Sequence, residues 1–116
     1  MADISELVKI SDRLTEFESF ISLIPSADHN LGSLAIHEKE LSRLWEAVRA
    51  SYDSISLESE TNKKLVKEIK QRYMASYSTY IRGVSFVNEH VERLMANSLK
   101  KQKHTFLLLD KLFLWV

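Results

Sequence analysis

The chain contains no cysteine, one proline and two glycines in 116 residues. The missing thiols exclude disulfides, thiolate nucleophiles and cysteine-ligated zinc. The scarcity of proline and glycine removes most of the punctuation that a many-turned β protein needs. No apolar run approaches the roughly 20 residues of a membrane-spanning helix. The opening Met-Ala-Asp-Ile-Ser-Glu has neither the basic start nor the apolar core of a secretory signal, nor the second-position glycine of a myristoylation site. These absences lead to the expectation of an intracellular protein, cytoplasmic or nuclear.

Net charge is also missing, since 16 basic residues balance 16 acidic ones. The balance conceals a division of the chain. Residues 1–61 carry 12 acids and 5 bases, a balance of −7, while residues 62–116 carry 4 acids and 11 bases, a balance of +7. Such a chain either folds against itself, pairs head-to-tail with a copy, or offers one half to a partner of opposite charge.

Apolar residues at 45% and charged residues at 28% are ordinary globular proportions, and the length suits a single modest core. Their spacing is helical. Leu7, Ile10, Leu14, Phe17, Ile21 and Ile24 recur every three or four residues and predict a helix over about 3–24. Asp3 and Glu6 stand at capping-box spacing at its start, and Pro25 ends it. Residues 25–33 read as a polar loop. A second helix is expected over about 34–57, its seam formed by Leu34, Leu41, Trp45, Val48, Tyr52 and Ile55 with Glu38 filling one place. Leu44 widens that apolar face, as in a helix packed within a bundle. Residues 58–62 read as a short turn.

A third helix is expected over about 62–99. Val66, Ile69, Tyr73, Tyr77, Tyr80, Val84, Val87, Val91 and Leu94 follow three-four spacing with one extra step of four between Tyr73 and Tyr77, read as a local shift of the heptad. Gly83 marks a bend or a close helix contact. Residues 76–87 are rich in strand formers, but no turn divides them and the helical spacing persists. The predicted fold is therefore all-α: three long helices in an antiparallel bundle or elongated coiled-coil hairpin over residues 1–99. A basic then apolar segment follows over 100–116. That segment, Lys100, Lys101 and Lys103 followed by an apolar stretch over 105–116, has three readings: a last element closing the core, an interfacial membrane anchor, or an unnatural end.

Chemical motifs are sparse. His37-Glu38-Lys39-Glu40-Leu41 starts like a zinc-protease helix, but Leu41 stands where the second histidine belongs. His29, His90 and His104 read as scattered, flank-exposed residues. No nucleophile elbow, phosphate-cradling glycine loop or dinucleotide fingerprint occurs. The expectation is a protein that is not an enzyme, with no catalytic residues, metal or cofactor. Tyr73, Tyr77 and Tyr80 beside Lys70, Arg72 and Arg82 resemble a base-stacking surface, although tyrosines at helical spacing are more often amphipathic core. Lys63, Lys67 and Lys70 share a helix face with Lys64 adjacent, and their simplest use is pairing with Glu38, Glu46 or Asp53 of an antiparallel neighbour.

Two stretches carry a resemblance. Arg13-Leu-Thr-Glu-Phe-Glu-Ser-Phe-Ile21 and Leu41-Ser-Arg-Leu-Trp-Glu-Ala-Val48, with Tyr52 following, are similar to the N-terminal helical region of Gag-type polyproteins of insect LTR retrotransposons of the Pao/BEL group. The resemblance spans about residues 7–95 and implies a structural element of particle assembly. No aspartic-protease triplet or cysteine-histidine knuckle accompanies it, so RNA packaging by a knuckle is not implied. The functional expectation is a self-assembly module carried by Leu14, Phe17, Ile21, Leu41, Trp45, Val48, Tyr77, Tyr80, Val84 and Val87, with a second copy or another helical protein as partner. The alternatives are a nucleic-acid or peripheral membrane binder using the basic second half and residues 105–116, or a generic helical adaptor.

Overall fold

The computed structural model describes the backbone over residues 4–57 and 61–113, and side chains over 4–57 and 61–98. Three helices pack pairwise: α1 (Ser5–Leu23), α2 (Leu31–Ser54) and α3 (Lys63–Phe113), with a 3-10 turn at Ser26–Asp28. Cross-helix contacts set the directions. Phe17 near the end of α1 meets His37 near the start of α2, and Tyr52 near the end of α2 meets Tyr73 early in α3. Asp12 and Glu18 of α1 meet Arg72 and Arg82 in the same order along α3. The topology is up-down-up, an antiparallel three-helix bundle.

Local chemistry explains the boundaries. Ile24 leaves α1 in extended conformation ahead of Pro25, as the clash of the proline ring with the preceding residue requires. Asp3 of the anticipated capping box lies outside the described residues, and α1 begins without a side-chain cap. The second helix starts earlier than its apolar seam suggests, because Asn30 caps it. The Asn30 Oδ1 accepts from the Ser33 amide at 2.8 Å while the Asn30 amide donates to Ser33 Oγ at 3.1 Å. This reciprocal box brings Leu31, Gly32 and Ser33 into the helix. At the other end α2 stops at Ser54 rather than at Leu57. Asn62 Oδ1 accepts from the Leu65 amide at 3.2 Å, ahead of the first turn of α3.

The third helix runs past Leu99 to Phe113. Its 51 residues span about 76 Å at 1.5 Å per residue and account for most of the 83 Å long axis. The apolar side chains of residues 105–116 lie outside the described side chains.

The core is a set of heptad layers. Leu7, Leu14 and Ile21 of α1 and Leu34, Leu41, Val48 and Ile55 of α2 are buried. Among the described side chains of α3, Ile69 and Val87 are the buried aliphatic residues. The third helix differs from its expected seam: no shift of the heptad occurs between Tyr73 and Tyr77. Ile69, Ser76, Gly83 and His90 form one row and Tyr73, Tyr80, Val87 and Leu94 the other, each at steps of seven. Ser76 is buried where Tyr77 was expected. In α1 Ser11 is likewise buried, with Ile10 packed at the edge of the core.

Hydroxyl residues tolerate these positions because their own helices satisfy them. Ser11 Oγ donates to the Val8 carbonyl at 3.0 Å, Ser76 Oγ to Arg72 at 2.9 Å and Thr79 Oγ1 to Ala75 at 3.0 Å. Small residues also shorten the distance between helices. A Cβ on Gly83 would stand 2.9 Å from Leu41 Cδ2, so Gly83 marks a close α2–α3 contact.

Candidate functional site

The seam residues singled out from sequence do not share one environment. Leu14, Ile21, Leu41, Trp45, Val48 and Val87 are buried, and Phe17, Tyr80 and Val84 are half-buried against the core. Tyr77 is 51% exposed, so it belongs to the outer flank of α3 and not to its core row. Glu38 likewise is exposed, and the inward place on that turn of α2 goes to His37.

At one end of the bundle Trp45 forms an aromatic corner. Its ring stacks on Tyr80 at 5.5 Å and 15°, meets Tyr73 at 5.3 Å, and touches Tyr77 at 5.5 Å. Tyr73 stacks in turn on Tyr52 at 4.0 Å. With their faces occupied by protein rings, Tyr73 and Tyr80 are structural, which favours the core reading of these tyrosines.

The other end holds imidazoles, and here sequence reasoning missed a cluster. His29, His37 and His90 come from the first loop, α2 and α3; the sequence leads to the expectation of scattered, exposed rings at His29 and His90 and of a solvated face at His37. Instead His29 is 5% exposed, stacks on His90 at 4.4 Å and meets His37 edge-on at 6.5 Å. Phe86 lies at 4.4 Å from His90 and 5.6 Å from His29, and Phe17 at 6.0 Å from His37. Both nitrogens of His29, and Nδ1 of His37 and of His90, are buried without a hydrogen-bond partner. Desolvation, and then the proximity of His29, holds the pKa of both His37 and His90 below the ordinary 6.5; Arg93 lowers His90 further while Glu89 opposes. Among the described residues no three histidine or carboxylate groups are placed to hold a metal ion. Only the fold could reveal this cluster, because residues 29, 37 and 90 share no local motif.

The charge division is met differently from the expected lysine pairing. Cross-helix ion pairs come from arginines of α3 to acids of α1: Arg72 to Asp12 at 3.6 Å and Arg82 to Glu18 at 3.8 Å. Arg72 also donates to the buried Ser11 Oγ at 3.3 Å, which ties α3 to the core of α1. Within α2, Arg43 binds Glu40 through two nitrogens, holding the Glu40 carboxyl below its usual range, and Arg49 pairs with Glu46 at 3.3 Å. Lys63, Lys64, Lys67 and Lys70 are exposed and make no ion pair with Glu38, Glu46 or Asp53. The side chains of Lys100, Lys101 and Lys103 lie outside those described.

What remains uncovered is a second apolar row on α3. Met74 is 68% exposed, Ile81 41% and Met95 54%; with Tyr77 they lie on a strip beside the core face. Tyr73, Met74, Ala75, Tyr77 and Ser78 line a groove of about 360 Å³ there. Phe20 and Leu23 at the end of α1, and Leu31 and Ile36 at the start of α2, are also exposed. No described helix is long and apolar enough to cross a membrane. No family model, curated protein or solved structure matches the chain.

Proposed function

We propose that this chain is a non-enzymatic assembly module, a helical bundle that presents the free face of α3 to another helix. The observation that carries this reading is the uncovered row Met74, Tyr77 and Ile81, which continues at heptad spacing beside a core face already filled. A helix with two apolar faces needs two sets of partners, and α1 and α2 supply one. The similarity of residues 7–95 to the Gag-type helical region of Pao/BEL retrotransposons supports assembly into larger particles as the biological setting. The cysteine-free composition fits a cytoplasmic or nuclear location.

Light scattering across protein concentration tests this reading. The expected result is a mass that rises from one chain to a multiple of it; a single-chain mass at every concentration up to the millimolar range contradicts it. The four exposed lysines at the start of α3 support a second reading, contact with a phosphate backbone. Binding to single-stranded nucleic acid that collapses steeply with added salt is its signature, and absence of binding at low salt removes it.

A further inference from the structure

Resting on the assembly reading, we propose that the partner of the free α3 face is α3 of a second copy, running antiparallel, with Tyr77 of each copy packed against Ile81 of the other. The face has a regular pattern. Met74, Ile81, Asn88 and Met95 fall at steps of seven, and Tyr77, Val84 and Val91 fall between them, giving alternating steps of three and four. Val84 and Val91 are half-buried at the boundary with the core, while Asn88 is exposed. This is the a and d pattern of a coiled-coil seam on a helix whose inward seam is already occupied.

Charge chooses the direction. The strip is basic at its N-terminal end, where Lys63, Lys64, Lys67 and Lys70 surround a single acid, Glu68, and are exposed without a salt bridge among the described residues. Beyond its apolar middle it carries the exposed carboxylates Glu89 and Glu92, beside one exposed base, Arg93, and neither carboxylate forms a salt bridge among the described residues. A parallel copy would set lysine against lysine along the whole first part. An antiparallel copy sets each basic end against an acidic one.

Heptad geometry limits the register to steps of seven, because an a residue must meet a d residue across an antiparallel seam, and the placement of Glu92 beside Lys64 selects one of these steps. With Ile81 opposite Tyr77 of the second copy, Val84 meets Met74 and Asn88 meets Lys70. In that register Glu92 of one copy arrives between Lys64 and Lys67 of the other. The apolar layers are thus closed at both ends by Asn88 against Lys70, whose ammonium can donate to the amide oxygen, and beyond them Val91 and Met95 lie opposite Lys67 and Lys63, whose aliphatic stems can cover them. The seam is short, so the dimer belongs to the weak, reversible class that dissociates on dilution.

The absence of native cysteine allows a direct test with single cysteines in the full chain, alongside light scattering. Ser78 lies one position from the two-fold axis of this arrangement, its two copies about 3 Å apart along the helix, so a Ser78→Cys chain cross-links to its copy under mild oxidation. Asn88 residues of the two copies stand 18 positions apart in this register, about 27 Å at 1.5 Å per residue, so Asn88→Cys does not cross-link. Ile81→Glu abolishes the dimer, with the helical content and melting of the monomer retained. Lys64→Glu with Lys67→Glu weakens association about tenfold or more, and adding Glu92→Lys restores it. A dimer that cross-links through Asn88→Cys, or one indifferent to Ile81→Glu, overturns the proposed pairing while leaving self-assembly standing. A chain that stays monomeric overturns both.

Discussion

The two faces of α3 contrast in a direction opposite to simple hydrophobic expectation. The inward face carries Ser76, Thr79 and Gly83 in its middle, whereas the outward face there carries Met74, Tyr77 and Ile81. Burial and apolarity are separate properties. A face that approaches its neighbours closely needs small residues, and hydroxyls at 2.9–3.0 Å from their own helix carbonyls cost little when buried. Bulk on the inward side stands mainly in the row Tyr73, Tyr80, Val87 and Leu94, while Met74, Tyr77 and Ile81 occupy the face with room around it. In this account the inward face holds the bundle together and the outward face reaches a second molecule.

The strongest way to break the comparison is at its corner. Trp45 leans on the inward Tyr73 and Tyr80 and also touches the outward Tyr77. Trp45 is 8% exposed, so Trp45→Ala is expected to lose about 3–5 kcal/mol of folding stability in denaturant titration. A variant that unfolds at the parent's midpoint places Trp45 outside the core.

Gly83→Val tests the close approach. Added methyl groups would drive into Leu41, which is fully buried, and overpacking of this kind costs about 1–3 kcal/mol. Its expected melting temperature is lower than the parent's, while Met74→Gln on the outer face changes monomer stability by less than about 0.5 kcal/mol. Equal losses at the two sites would erase the distinction between the faces.

The imidazole end of the inward face adds a pH dependence. His37 and His90 have folded pKa values below the ordinary 6.5, so the unfolded chain binds protons more readily than the folded one. Their neutral forms support full stability above about pH 6.5, and stability is lost as pH falls through the depressed folded values. Melting at pH 5 is expected below melting at pH 7.5, and His90→Phe should flatten the difference. A parent that melts identically at both pH values contradicts the burial of these rings.

Much of the architecture was legible in the sequence. Leu7, Leu14, Ile21, Leu34, Leu41 and Val48 announce their buried faces by spacing alone, and Pro25 announces the end of α1. The inner row of α3 was not legible, because a search for apolar residues skips Ser76, Gly83 and His90 and picks Tyr77, Val84 and Val91 one position later. The apparent shift of the heptad was the result. The early start of α2 was hidden because Gly32 reads as loop, although Asn30 and Ser33 stand at capping spacing. The meeting of His29, His37 and His90 is a product of tertiary packing, with no sequence signal to find.

The central claim is that α3 serves two interfaces, one within the chain and one between chains. It is tested most directly by comparing the parent with Ile81→Glu in light scattering over a dilution series, with circular dichroism on the same samples. The account predicts a parent that doubles in mass at high concentration, and a variant that stays at 13.5 kDa with its helical signal intact. A variant that loses its helices, or one that dimerises like the parent, would contradict it.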